Sequence, residues 1–297
     1  MIGIWRKNSA CLAQCCVRLG LTLLMGVLMV LSMSWLISLA QSGTVVGLTS
    51  PEMYLAVGEE ITVTVQITDV AGLYAAEFFL PFPSDLVTIT DADPGTSGVQ
   101  IMPGDCLELG LVFANEVDAG TDEIRYAITQ LAPSQPFTGS CSLAYIHFTA
   151  LDEGHVPLMF NEVQITTIQG PIPEPLDCET REITLTIDST SPTSVVTVPA
   201  VSRFPPASLI WTAADAWSGI EAVSMWYRFE DGDWDLLSDQ LGSTGLMEFS
   251  FPDGEGQYQF ITQAVDGAGN VEEFRGHEVA TTVYEPIRLY MPLLSRR

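Results

Sequence analysis

The chain has 297 residues, 47% of them hydrophobic, and carries 37 acidic side chains against 11 basic ones, a formal net charge of −26. A surface this acidic repels phosphate backbones and anionic headgroups, which argues against nucleic acid as a partner and leaves solubility as the plainest use of the charge. Its three histidines, His147, His155 and His277, lie in no HExxH and near no GxSxG, so no local signature of a metalloprotease or a serine hydrolase is present.

Arg6, Lys7 and Arg18 precede an uncharged apolar stretch over 19–40 that ends in Ser38-Leu39-Ala40. A positive start, an apolar middle and a small-x-small end make residues 1–40 an export signal cut after Ala40 or, since about 20 apolar residues suffice to span a bilayer, an uncleaved membrane anchor. Either reading puts the remainder outside the cell or at its surface, with membrane contact only through 19–40 if the leader is kept. Beyond Ala40 lie 257 residues (297 − 40) with all 37 acids, eight arginines and no lysine, so 8 − 37 = −29. At about 150 residues per domain, that length predicts two domains.

The stretch EEITVTVQIT from Glu59 alternates with a period of two. Ile61, Val63, Val65 and Ile67 take one side, and Thr62, Thr64, Gln66 and Thr68 the other, as a strand with one buried and one wet face requires. AGLYAAEFFL is a second extended run, and DADPGTSG is a loop. LELGLVFANEV, a DAGTDE turn and IRYAITQLA follow, with Ile124, Tyr126 and Ile128 on one face. CSLAYIHFTAL places Ala144, Ile146 and Phe148 inward and Tyr145 and His147 outward. HVPLMF, EVQITTI and REITLTI complete about nine short strands, spaced as in a sandwich or jelly roll, and no stretch has helical periodicity.

The polar segment DSTSPTS marks a boundary, giving residues 43–188 and 189–284 as two β-sandwiches and 285–297 as a tail. In the second, Val223, Met225, Tyr227 and Phe229 form one face. Phe249 and Phe251 are read as matched by Tyr258 and Phe260 across a DGEG hairpin turn. The size suits an immunoglobulin-like sandwich.

Cys11, Cys15 and Cys16 belong to the leader; Cys106, Cys141 and Cys178 do not. Without a CxxC or a histidine pair a zinc site is not indicated. Cys106 and Cys141, both read in turn-rich stretches (MPGDC, FTGSC), are the expected disulfide, with Cys178 left over.

Three further constellations are candidates. Trp217, Trp226 and Trp234 supply rings that could stack on sugars, against the plainer reading of packing. Asp215 and Ser218 with Asp266 and Asn270 could gather oxygens around calcium at one end of the second sandwich, against the plainer reading of turn formation. DGDWD at 231–235 begins like a calcium loop, but Gly242 stands where the closing glutamate belongs. No catalytic residue is assigned.

On VGEEITVTVQITDVAGLYAAEFFLPFPSDLVTI and GSCSLAYIHFTAL, residues 44–187 resemble a cohesin domain, a nine-stranded jelly roll. The short segment after the third strand departs from the family's pattern, reading Phe82-Pro83-Ser84-Asp85. WTAADAWSGI and YQFITQAVDGAGNVEE are similar to bacterial immunoglobulin-like or fibronectin-like modules. The resemblance implies a non-enzymatic, exported scaffolding or adhesion protein whose partner is a dockerin-bearing protein or a polysaccharide, linked to polysaccharide catabolism. A ligand-free spacer or surface-layer component is the alternative, with a polysaccharide hydrolase behind it.

Overall fold

The computed structural model describes residues 43–107, 110–118, 120–131, 133–274 and 279–288. The leader, His277 and most of the 285–297 tail lie outside the described residues. Among the described residues every regular element is a strand, as the alternating pattern predicts.

Thirteen strands precede Asp188: β1 (Val45–Thr49), β2 (Tyr54–Leu55), β3 (Glu60–Pro81), β4 (Val87–Ile89), β5 (Met102–Pro103), β6 (Leu111–Asp118), β7 (Glu123–Thr129), β8 (Phe137–Ala150), β9 (Gly154–Leu158), β10 (Glu162–Thr167), β11 (Glu174–Leu176), β12 (Glu179–Arg181) and β13 (Ile183–Ile187). The expected runs make eight of these, two of them merging in β3, and the other five are β1 and four strands of two or three residues, too short to show alternation in the sequence. β2, β13 and β9 form a small sheet, and the other ten form a large one. Val63, Val65 and Ile67 of β3, Ile146 and Phe148 of β8, Val156 of β9 and Leu185 of β13 all belong to one apolar core.

β3 is a single 22-residue strand where the sequence suggests two runs. Its first half pairs with β1 and β8, its second with β10 and β7. Register shifts between Ile67 and Leu73 bend it, with Asp69 and Gly72 at positive φ. The bend lets one strand serve two stretches of sheet.

Eight strands follow: β14 (Thr193–Thr197), β15 (Val201–Ser202), β16 (Ala207–Ala214), β17 (Ile220–Phe229), β18 (Asp235–Leu241), β19 (Thr244–Phe249), β20 (Gly256–Asp266) and β21 (Ala280–Tyr284). They make a three-stranded sheet, β14-β16-β19, and a five-stranded one, β15-β21-β20-β17-β18. Val196, Leu209 and Trp211 from the first share a core with Val223, Met225, Tyr258 and Phe260 from the second. Glu272 ties the two together: its carboxylate accepts hydrogen bonds from the Ser194 backbone and hydroxyl and from Ala264 N.

The DGEG hairpin is corrected. β19 pairs with β16 and β20 with β17 and β21, so the chain changes sheets at this turn. The aromatic match survives in another form, because Phe249 meets Tyr258 and Phe260 at ring-centroid distances of 5.4 and 4.9 Å across the core. FTGSC is likewise not a turn: all five residues belong to β8.

Candidate functional site

The most distinctive surface of the first strand set is the outer face of β10, β3, β7 and β6. Register aligns its outward side chains in rows. Thr166, Ala75, Thr129 and Leu111 make one, and Glu162, Phe79, Arg125 and Glu116 another, with Gln164, Glu77 and Ala127 between them. Ala75, Ala127 and the two threonines are short, so the face is shallowly concave there, and the concavity holds about 400 Å³.

Phe113 stands over that floor and is 72% exposed. The register shift between Val112 and Ala114 makes Phe113 the extra residue of a bulge in β6. Bulges re-aim side chains, which accounts for a phenylalanine outside on a strand whose neighbours Val112 and Val117 pack on the core. Arg125 is fixed beside it: its Nε and a terminal nitrogen each lie 3.0 Å from Glu77 Oε1, another terminal nitrogen lies 3.5 Å from Glu116 Oε1, and its Cζ sits 5.6 Å above the Phe79 ring. Exposed ion pairs add little stability, so the gain is a side chain held in one orientation. With Glu77, Glu116, Glu123 and Glu162 around a single arginine, the face is net negative. Sequence reading missed Phe113; the only trace was Leu111-Val112-Phe113, three apolar residues running against the period of two.

Cys106 and Cys141 are joined, their Cα atoms 5.1 Å apart. The bridge pins the loop after β5 to β8, helped by Gly104 N donating to Leu143 O and Ser142 N to Asp105 Oδ1. Cys178 is a free, half-buried thiol, and burial followed by the neighbouring Asp177 charge pushes its pKa up. His147, on the outward face of β8, has Nδ1 2.8 Å from Thr62 Oγ1.

The three tryptophans fall into two separate aromatic groups. Trp217 meets His155 edge-on at 5.7 Å, whereas Trp226 and Trp234 each pack edge-on against Phe274, and Arg228 lies 4.8 Å over Trp234. Asp215, Asp266 and Asn270 do come together, joined by Asp188, the first residue of the DSTSPTS segment. Its recruitment depends on where β13 ends relative to a loop some 30 residues later, which no local pattern encodes.

No protein-family model and no curated protein matches this sequence. Solved structures do. Among the solved structures it is similar to are cohesin domains. A non-cellulosomal cohesin from the archaeon Archaeoglobus fulgidus is 18% identical, over 50% of this chain and 92% of its own, with a TM-score of 0.39. The type II cohesin dyad of the ScaA scaffoldin of Acetivibrio cellulolyticus is 9% identical over 82% of this chain and 97% of its own, TM-score 0.42. A type I cohesin–dockerin complex from Clostridium thermocellum is 13% identical over 49% and 98%, TM-score 0.39. None of these likenesses gives a residue of this chain a role.

Proposed function

We propose that this chain is a non-catalytic docking protein that works outside the cytoplasm and binds a protein partner on the outer face of β10, β3, β7 and β6. The observation that carries the reading is Phe113, a large aromatic held outward by a bulge above a floor of small side chains. Interfaces draw most of their energy from a few aromatic and arginine anchors set among contacts that exclude water, and Phe113 beside the braced Arg125 has that composition. The acidic surround favours a partner with a basic rim. A dockerin-bearing protein is the class that the sequence resemblance implies. Residues 1–40 and the Cys106–Cys141 bridge support an exported setting, since such bridges persist where conditions are oxidising.

The test is calorimetric titration of the full chain, and of its Phe113→Ala variant, with a panel of purified dockerin modules. One module should bind, and the substitution should weaken it at least about 30-fold, the effect of losing a 2 kcal/mol anchor. If no module binds, or if the variant binds as well as the parent, the reading fails.

A further inference from the structure

We propose that Asp188, Asp215 and Asp266, together with the Ser218 hydroxyl, form a calcium site that fastens the segment leaving β13 to the second sandwich. The three aspartates come from separate stretches: the end of β13, the loop between β16 and β17, and the end of β20. Each offers a carboxylate oxygen, and these oxygens all lie within 4.8 Å of one another. Oxygens shared by one calcium at 2.3–2.6 Å can be at most about 5 Å apart, so the spacing fits a single ion. Asp188 is only 1% exposed and Asp266 0%. Like charges gathered out of water repel unless something neutralises them, and among the described residues no ion pair reaches any of the three.

Existing hydrogen bonds orient the carboxylates without exhausting them. Asp188 accepts from Thr190 N and Ser218 N, both at 3.0 Å. Asp266 accepts from Asn270 N at 2.8 Å and Asn270 Nδ2 at 2.9 Å, and the same Nδ2 reaches Asp188 O at 3.2 Å. Asp215 Oδ2 accepts from Trp217 N and Gly219 N, both at 2.9 Å. One oxygen of the group and one from outside it lack partners: Asp215 Oδ1, and the hydroxyl of Ser218, the residue whose amide bonds Asp188, are both shut off from solvent with no hydrogen-bond partner. Buried polar atoms are almost always satisfied, so orphaned oxygens next to clustered carboxylates are where a cation belongs. The donors are all oxygen and mostly charged, the set that a hard cation takes and a soft metal does not.

The experiment uses the full chain, stripped with a chelator and titrated with calcium chloride or magnesium chloride by calorimetry and thermal melting. Calcium should bind with a dissociation constant at or below about 1 mM, the range of extracellular calcium modules, and about 10 mM should raise a melting transition by about 5 °C or more. Ser218→Ala removes only an unpartnered hydroxyl, and Asp215→Asn keeps an oxygen for the Trp217 and Gly219 amides, so both should fold. Each should weaken calcium binding about tenfold or more. No binding, an equal shift with magnesium, or parent-like affinity in both variants would overturn the site. The readout needs no protein partner, so its failure leaves the docking face untouched.

Discussion

Phe113 and Tyr126 lie on adjacent strands and differ completely in exposure, 72% against 0%. Truncating the exposed ring should leave folding stability within about 0.5 kcal/mol, since most of its surface is already in water; a urea melt of Phe113→Ala checks this and separates loss of docking from loss of fold. Tyr126 is the reverse case. Burial raises its pKa from 10.0 to about 12, and its hydroxyl has no partner. With the folded value above the unfolded one, the stabilising contribution is intact below pH 10 and is lost as pH rises toward 12. The loss should approach roughly 3 kcal/mol, visible in denaturant melts at pH 9 and 12. Tyr126→Phe should show a correspondingly smaller drop. Tyr126 was legible in the sequence, because Ile124, Tyr126 and Ile128 keep strict alternation; Phe113 was not, because a bulge is defined by the register of the partner strand.

Among the elements, β3 depends on its bend. Gly72 sits at a φ of 72°, and an added Cβ would come 2.6 Å from Ile168 O. The obstacle is backbone, which cannot swing aside, and the conformation itself is costly for any other residue. Gly72→Ala should therefore destabilise the first sandwich by about 2 kcal/mol or more, read as a lower denaturation midpoint. The Cys106–Cys141 bridge closes a loop of 35 residues. Replacing both cysteines by serine should cost about 4 kcal/mol on chain-entropy grounds, measured by the same melt. The pairing was legible but on a partly wrong ground, because Cys141 was read in a turn and lies instead in β8. The partner of β19 was not: DGEG looks like a hairpin turn, and only packing decides that Phe249 faces Tyr258 across a core instead of along a sheet.

At the scale of the whole molecule, charge sets the behaviour. From Gln41 onward the chain carries 37 acids and eight arginines, so its surface repels itself. Added salt should raise its melting temperature while slowing association with a basic partner, because both effects are screened over about 10 Å at 0.1 M ionic strength. Stopped-flow association against salt concentration checks the second. The all-strand fold was legible from alternation; the meeting of Asp188, Asp215 and Asp266 was not, because three distant stretches must fold before it exists.

Two parallel pairings in the first strand set bear on its response to stretching. β1 runs parallel to β12, Val45 opposite Glu179 through Gly47 opposite Arg181, and β2 runs parallel to β13. Tension applied between Gly43 and Asp188 drags these strands past each other lengthwise, so their bonds must rupture together instead of unzipping in turn. The geometry predicts a module that resists being stretched between these two points, which single-molecule pulling would read as a high rupture force.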